Sequence, residues 1–331
     1  MVHPKASDEQ VLNYDLGIED MIEKFISREG YPSTLHVPIW DLLDRGGKRF
    51  RPILTYLCCK IVGGNTKQVN QLAAAVELLH NMTLVHDDIE DNSDQRRGKP
   101  CMHLIYGIPS TINTADFMAV RVFDMILSHK INPKSKVILL QKLTQRVNQM
   151  LHGQAVEIEN RDTTMYDESL VLEILKGKTS ALIMLSSEIG IIVGKGTEVQ
   201  LKLVERYAGY VGLAFQIIDD VLNLIATKKY GKEIGGDLRE GKRTMIVSHF
   251  MGHASDHDKL EFLKYFGVKR SSYKEIKKML SLLKKYDSIK HCQKQSDYYL
   301  SCGLYYLKFL PNNDAKNSLI KLSKFLTKRN W

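Results

Sequence analysis

Two short acidic runs carry the clearest chemistry in this 331-residue chain. They are Asp87-Asp88-Ile89-Glu90-Asp91 and, far downstream, Asp219-Asp220 inside Phe215-Gln216-Ile217-Ile218-Asp219-Asp220-Val221-Leu222-Asn223. On a helix, Asp87 and Asp91 stand four residues apart, so their carboxylates stack on one face, and His80, seven residues before Asp87, joins that face. Like charges so placed repel, and the apolar approach from Met82 to Val85 sharpens the conflict. A divalent cation removes it. Hard oxygen ligands in small number suit Mg²⁺, which keeps water and phosphate in its shell. In the second run Gln216, Asp219, Asp220 and Asn223 recur at steps of three and four, a polar stripe on an otherwise apolar segment. Burying such acids unpaired costs on the order of several kcal/mol, so the pair of clusters reads as metal-binding rather than structural.

Cations complement the acids. Gly46-Gly47-Lys48-Arg49-Phe50-Arg51-Pro52 sets three cations beside two glycines at a helix start, and Arg96-Arg97 follows the first acidic run. Gly177-Lys178-Thr179 interrupts a helix, while Lys232 and Lys242 flank Gly235-Gly236-Asp237. Arginine forks and lysine point charges are what a diphosphate needs.

Helices must carry these groups. Val69, Leu72, Ala73, Val76, Leu79 and His80 follow one helix face, as do Val204, Ala208, Val211, Phe215, Ile218 and Leu222. Strand-like alternation is scarce and no Asn-Gly or Asp-Gly hairpin signal occurs. Breakers such as Gly63-Gly64-Asn65, Gly98-Lys99-Pro100, Asn132-Pro133 and Gly194 to Gly196 separate periodic segments. The expectation is an all-α, single-domain helical bundle covering 1–331, with a long functional loop from Thr227 to Gly241.

Composition narrows the class. A formal charge of +9 fits an anionic partner: nucleic acid, a membrane surface or a phosphorylated small molecule. Five cysteines, an odd number without metal-type spacing, read as reduced thiols. The polar start from Met1 to Gln10 lacks a signal-peptide core. No apolar run reaches membrane-spanning length, the best candidate being Ala181 to Val193, broken by Ser186, Ser187 and Glu188. A soluble, cytoplasmic protein without a transmembrane segment is expected.

With these motifs in place, the sequence resembles the trans-isoprenyl diphosphate synthases, the polyprenyl synthetase family, from about Asp44 to Thr244. The matching segments are GGKRFRP, DDIED followed by RRGKP, HGQ at His152 to Gln154, GKTS at Gly177 to Ser180, FQIIDD and GGDLREGKRT. The stretch from Asp87 to Asn92, continuing through Ile105 to Asn113, particularly resembles geranylgeranyl diphosphate synthases of the eukaryotic type; HGQ and GKTS are more like archaeal and bacterial members. The resemblance implies a bundle of the isoprenyl synthase type with a central active-site cavity, a homodimer, and a Mg²⁺-dependent transferase condensing isopentenyl diphosphate with an allylic diphosphate. It further implies that Asp87, Asp91 and Asp219 bind the metal, with Asp88 in the catalytic set. Arg96, Lys178, Lys232 and Lys242 would grip the allylic diphosphate, with Thr179 and Gln216 near the reacting carbon. Lys48, Arg51, His80 and Arg97 would hold isopentenyl diphosphate.

Asn223 stands where many members carry a third aspartate; its amide oxygen accepts from metal-bound water but brings no charge. Met82 and Thr83, one turn before Asp87, are not aromatic, and Phe117 is followed by Ala119 and Val120. The expected product is therefore the twenty-carbon geranylgeranyl diphosphate, with a longer polyprenyl chain or farnesyl diphosphate as alternatives. A P-loop nucleotidase is a poor fit, because Arg243 follows Lys242 where Ser or Thr belongs and no strand precedes it. A class I terpene cyclase would not need Lys48, Arg51, His80 and Arg97. No nucleic-acid motif is recognisable, so no nucleic-acid partner is expected.

Overall fold

Local chemistry sets the helix starts. The Asn132 side-chain oxygen accepts from the Ser135 backbone N–H at 2.8 Å, just ahead of Pro133 at the first helical position. Thr197 and Gln200 cap one another reciprocally, Thr197 N–H to Gln200 Oε1 at 2.8 Å and Gln200 N–H to Thr197 Oγ1 at 3.2 Å. Ser272 and Glu275 form the same box.

The computed structural model describes residues 13–161, 166–225 and 235–327. Among these the chain is helical almost throughout, as expected. The helices that matter for the chemistry are Phe50–Ile61, Asn70–Glu90, Ile108–Leu127, Pro133–Glu159, Glu168–Leu175, Ala181–Val193, Glu198–Ile225, Gly236–Glu240, Met245–His253 and Ser288–Leu307. The chain divides into two compact units, the first made of 1–146, 182–205 and 307–322, the second of 147–181, 206–306 and 323–331.

In the first unit, Asn70–Glu90 packs on Ile18–Glu23, Phe50–Ile61 and Ile108–Leu127. Its periodic face, Val69, Leu72, Ala73, Val76 and Leu79, is buried as the spacing demands. Each Leu or Val so placed stabilises the fold by about 1.5–3 kcal/mol. Glu188, wholly buried, pairs with Arg146 through two bonds of 2.9 and 2.7 Å and with Lys142 at 2.8 Å. Glu205 meets the same two cations at 3.0 and 3.3 Å. Ser186 and Ser187 bond the carbonyls of Leu182 and Ile183 four residues back, which satisfies both hydroxyls inside the helix.

The second unit has its own core, in which Leu213, Ile217 and Val221 pack with Val171, Leu175, Val247, Phe250, Phe262, Ile276 and Met279.

One feature escaped the sequence reading and one expectation needs correcting. A two-stranded antiparallel hairpin, β1 Gln95–Arg96 and β2 Lys99–Pro100, pairs Gln95 with Pro100 and Arg96 with Lys99. Its turn is Arg97-Gly98, both left-handed at φ +53° and +74°, the geometry two-residue hairpins favour. An arginine in place of the usual Asn or Asp hid the signal. Arg45 steadies the hairpin by donating to the carbonyls of Arg96 at 3.3 Å and Pro100 at 2.8 Å. Second, among the described residues Glu198–Ile225 rather than Ala181–Val193 is the helix long and apolar enough to cross a membrane by length and composition. Its most apolar window is 56% buried within the protein, as in a core helix.

Candidate active site

Asp87, Asp88 and Asp91 occupy the C-terminal end of Asn70–Glu90, with Asp91 capping it through its N–H to the Asp87 carbonyl at 2.8 Å. Asp87 and Asp91 are partly exposed; Asp88 faces inward and is buried. The alternation follows from helical pitch: residues four apart share a face and the one between turns away. Asp88 is held by Arg96, whose Nε lies 2.9 and 3.2 Å from its two carboxylate oxygens and whose Nη2 makes a further short contact. Asp88 thereby anchors the hairpin that carries Arg96 and Arg97 to the end of the acidic helix.

Around His80, on the same helix, the first unit collects cations. Arg51 is buried, stacks over Phe50 at 4.6 Å and leaves its Nε without a hydrogen-bond acceptor. Burial pulls its pKa down to about 10; Glu77 opposes this and Arg97 adds to it. Arg97 is also pulled down to about 10, first by burial, then by Arg49, against the pull of Glu77. Its Nη1 donates to the Leu42 carbonyl at 3.2 Å. His80 is held neutral, well below its ordinary 6.5, by burial and then by Arg51, Arg97, Arg96 and Arg49. Two buried carboxylates meet these groups among the described residues: Asp88, held by Arg96, and Glu77, bonded to Arg49 at 2.8 Å and to Asn81 at 3.1 Å. Arg49 also reaches Glu19, at 2.9 Å. Crowded positive charge of this kind can seat an anion. Lys48 lies exposed beside Arg49 in sequence. Glu77 escaped the sequence reading, which counted Arg49 among the three cations of its motif and gave it no separate role; a Glu at helical spacing before Asn81 was the available clue.

In the second unit a different arrangement appears. The segment Lys176–Ser180 forms one turn of π-helix between Glu168–Leu175 and Ala181–Val193. It fits because two glycines meet there: a Cβ on Gly153 would stand 2.8 Å from the Gly177 Cα, and one on Gly177 would stand 2.7 Å from the Gly153 Cα. The HGQ and GKTS motifs thus touch backbone to backbone. The turn aims Thr179, buried, at Gln216: Thr179 Oγ1 donates to Gln216 Oε1 at 2.8 Å, and Gln216 Nε2 donates to Asp220 Oδ1 at 2.8 Å. Lys178 pairs with Glu157 at 2.7 Å.

Asp220 is buried and its pKa is raised well above the usual carboxylate value, by burial first, then by Asp237, with the Gln216 bond opposing and Asp219 adding. Asp237 arrives because the Asn223 side-chain oxygen accepts its backbone N–H at 3.2 Å, while the Asn223 carbonyl accepts from Gly235 at 2.9 Å. Asn223 therefore holds Gly235 and Asp237, and with Asp237 a third acid, against its own helix. Sequence reasoning saw the missing aspartate and did not see its replacement, though GGD was in view. Lys242 lies 3.6 Å from Asp237 and 3.0 Å from Glu240. Lys232 falls outside the described residues. Three carboxylates with mutual repulsion and hard oxygen donors fit a small divalent cation.

Residues 32–283 match the Polyprenyl synthetase family. The chain is 37% identical over 272 residues to a short chain isoprenyl diphosphate synthase of Methanocaldococcus jannaschii, covering 81% of this chain and 80% of that one. The structure resembles that of geranylgeranyl pyrophosphate synthetase from Pyrococcus horikoshii with a TM-score of 0.91, 34% identity and 98% of each chain covered. It also resembles a polyprenyl synthase from Caulobacter crescentus, solved with calcium and isoprenyl diphosphate, at a TM-score of 0.89, 25% identity and 99% of each chain covered.

Proposed function

We propose, given that the chain belongs to the polyprenyl synthetase family and is a prenyltransferase of the isoprenyl diphosphate synthase kind, that it makes geranylgeranyl diphosphate. In this reading isopentenyl diphosphate adds to an allylic diphosphate with Mg²⁺ as cofactor. The observation that carries the reading is the anion seat of Arg51 and Arg97 around a neutral His80. Isopentenyl diphosphate sits there, with Lys48 reaching the same group. A neutral His80 donates a hydrogen bond without adding a charge that the arginines already supply.

Asp87, Asp91 and Asp219 would hold Mg²⁺, which when bound would supply Lewis-acid neutralisation of the departing diphosphate. Arg96, Lys178, Lys232 and Lys242 bind the same allylic diphosphate; Lys178 and Lys242 exchange their pairing with Glu157 and Glu240 for phosphate oxygens. The allylic C–O bond breaks with its electrons leaving on oxygen. The π electrons of isopentenyl diphosphate form the new C–C bond, and the proton lost afterwards goes to the released diphosphate. Thr179, fixed by Gln216, orients a polar oxygen beside the reacting carbon. Asp88 acts through Arg96, as a positioning residue.

Product length follows from Met82, buried and unbranched, and Thr83, whose hydroxyl turns back to the His80 carbonyl at 2.8 Å. Neither closes the path one turn before Asp87 as an aromatic ring would. Phe117 is committed elsewhere, packed on His36 at 5.6 Å and under Arg121 at 4.6 Å. The chain works as one functional domain in the cytoplasm, and as a homodimer; the exposed row Ile108, Ile112, Val120, Phe123 and Leu127 on one helix supports the latter. Incubation with labelled isopentenyl diphosphate, each allylic starter and Mg²⁺, followed by sizing of the dephosphorylated alcohols, tests the reading. A twenty-carbon alcohol is expected; fifteen carbons or a long polyprenol refutes the product, and no incorporation refutes the site.

A further inference from the structure

We propose that Glu168, His249 and His291 form a binding site for a divalent ion of the zinc class, separate from the carboxylates assigned to Mg²⁺. The three residues come from three helices of the second unit: Glu168 opens Glu168–Leu175, His249 lies within Met245–His253, and His291 is in the first turn of Ser288–Leu307. One ligand atom from each lies within 4.8 Å of the other two, and all three side chains are half-buried. Residues 42 and more positions apart converge here, which no helical periodicity produces by itself.

The donor set decides the ion. Two imidazoles and one carboxylate suit zinc and its neighbours, whereas Mg²⁺ takes oxygen ligands. Zinc bonds of about 2.0–2.2 Å in a tetrahedron leave a fourth position open to solvent, and rotation of the two imidazoles about their side-chain torsions closes the ligands onto the ion. Glu168 Oε2 already meets His291 Nε2 at 3.1 Å. The Nδ1 of His249 lies 3.0 Å from Ser288 Oγ. Donation of Nδ1–H to that hydroxyl leaves the Nε2 lone pair for the metal, the outer bond by which metal-binding histidines are oriented.

The stack around His249 prepares it further. Its ring lies 4.1 Å from that of His291 and 4.2 Å from that of His253. His253 is itself tied down, its Nδ1–H donating to the His249 carbonyl at 2.8 Å.

An ion here would tie Glu168–Leu175 to two other helices. That helix runs directly into the π-turn bearing Lys178 and Thr179. Occupancy therefore stiffens the support of the turn without touching the reacting groups.

The test strips the full-length protein with a chelator and titrates it with ZnCl₂ and CoCl₂ by calorimetry in excess Mg²⁺, with visible spectra of the cobalt form. One ion per chain, a raised melting temperature and a tetrahedral cobalt spectrum are expected. H249Q/H291Q should weaken binding by at least about a hundredfold, and Ser288→Ala by about tenfold with stoichiometry unchanged. Asp219→Asn should leave zinc affinity as it was. If the double histidine variant does not fold, Glu168→Gln gives the same reading with both rings kept. Failure of the wild-type protein to bind either ion overturns the site. So does undiminished affinity in H249Q/H291Q or E168Q, or loss of the ion in D219N. None of these outcomes depends on prenyl transfer, so they are distinct from failure of the proposed reaction.

Discussion

Gly153→Ala separates placement of the π-turn from stability of the fold. The added Cβ meets only backbone: Gly177 Cα and Lys178 N at 2.8 Å, and Gly177 C at 3.1 Å. Relaxed carbon contacts lie near 3.5–4.0 Å, so the helix and the turn must part by roughly 0.7–1.2 Å. Alanine gains about 1 kcal/mol of helix propensity over glycine, and the forced packing costs about 1–3 kcal/mol. The net destabilisation is then at most about 2 kcal/mol, a few degrees in melting temperature for a protein of this size. Catalysis is more sensitive, because a displacement of about 1 Å at a positioning group costs on the order of a hundredfold in rate. Thr179 and Lys178 ride on this turn, so kcat should fall about a hundredfold. The KM for isopentenyl diphosphate, whose proposed seat is Arg51, His80 and Arg97, should hardly change. Steady-state kinetics with labelled isopentenyl diphosphate, beside thermal unfolding of the same samples, reads both quantities. A Gly153→Ala protein with normal kcat refutes the argument, as does one whose kcat loss is matched by an equal loss of folded protein.

Three further outcomes follow from the same geometry. Asp87→Ala should abolish turnover while circular dichroism and melting stay near wild type; near-normal activity would remove Asp87 from the metal site. Glu188→Ala leaves Arg146 and Lys142 with Glu205 as a remaining partner, at 3.0 and 3.3 Å, and should destabilise the protein by about 1–3 kcal/mol in urea titration. His80 gives a pH signature: its folded pKa lies below the unfolded 6.5, so the unfolded chain binds the extra proton and stability falls as pH drops below about 6.5, while above that value the contribution is flat. His80→Gln should remove that part of the acid slope, read as the difference in melting temperature between the two proteins from neutral pH downward.

The helical character was legible because Val69, Leu72, Val76 and Leu79 repeat at helical steps and their burial follows directly from that spacing. The acidic and basic motifs were legible for a different reason: adjacent aspartates amid Ile and Val have no place in a purely structural helix. What escaped depends on side-chain direction and on chain distant in sequence. Adjacent Asp87 and Asp88 look equivalent as letters, yet one faces outward and the other is clasped by Arg96. Asp237 becomes the partner of Asp220 only because a side-chain oxygen fourteen residues earlier catches its N–H. The break at Gly177 was visible, but its partner Gly153 was not, since contact between two bare backbones leaves no trace in hydropathy. The cluster of Glu168, His249 and His291 was invisible for the same reason of distance.

Arg97 occupies a left-handed turn position at φ +53°, where an asparagine beside Gly98 would sit more easily. Folding preference and the ligand chemistry proposed for Arg97 therefore pull this residue in opposite directions. Engineering that ranks exchanges by hairpin quality alone would choose Arg97→Asn and gain a firmer ribbon. It would also strip a guanidinium from beside Arg51 and His80, so the sturdier protein would be the poorer catalyst. Heat resistance and turnover should thus prove antagonistic at this one codon.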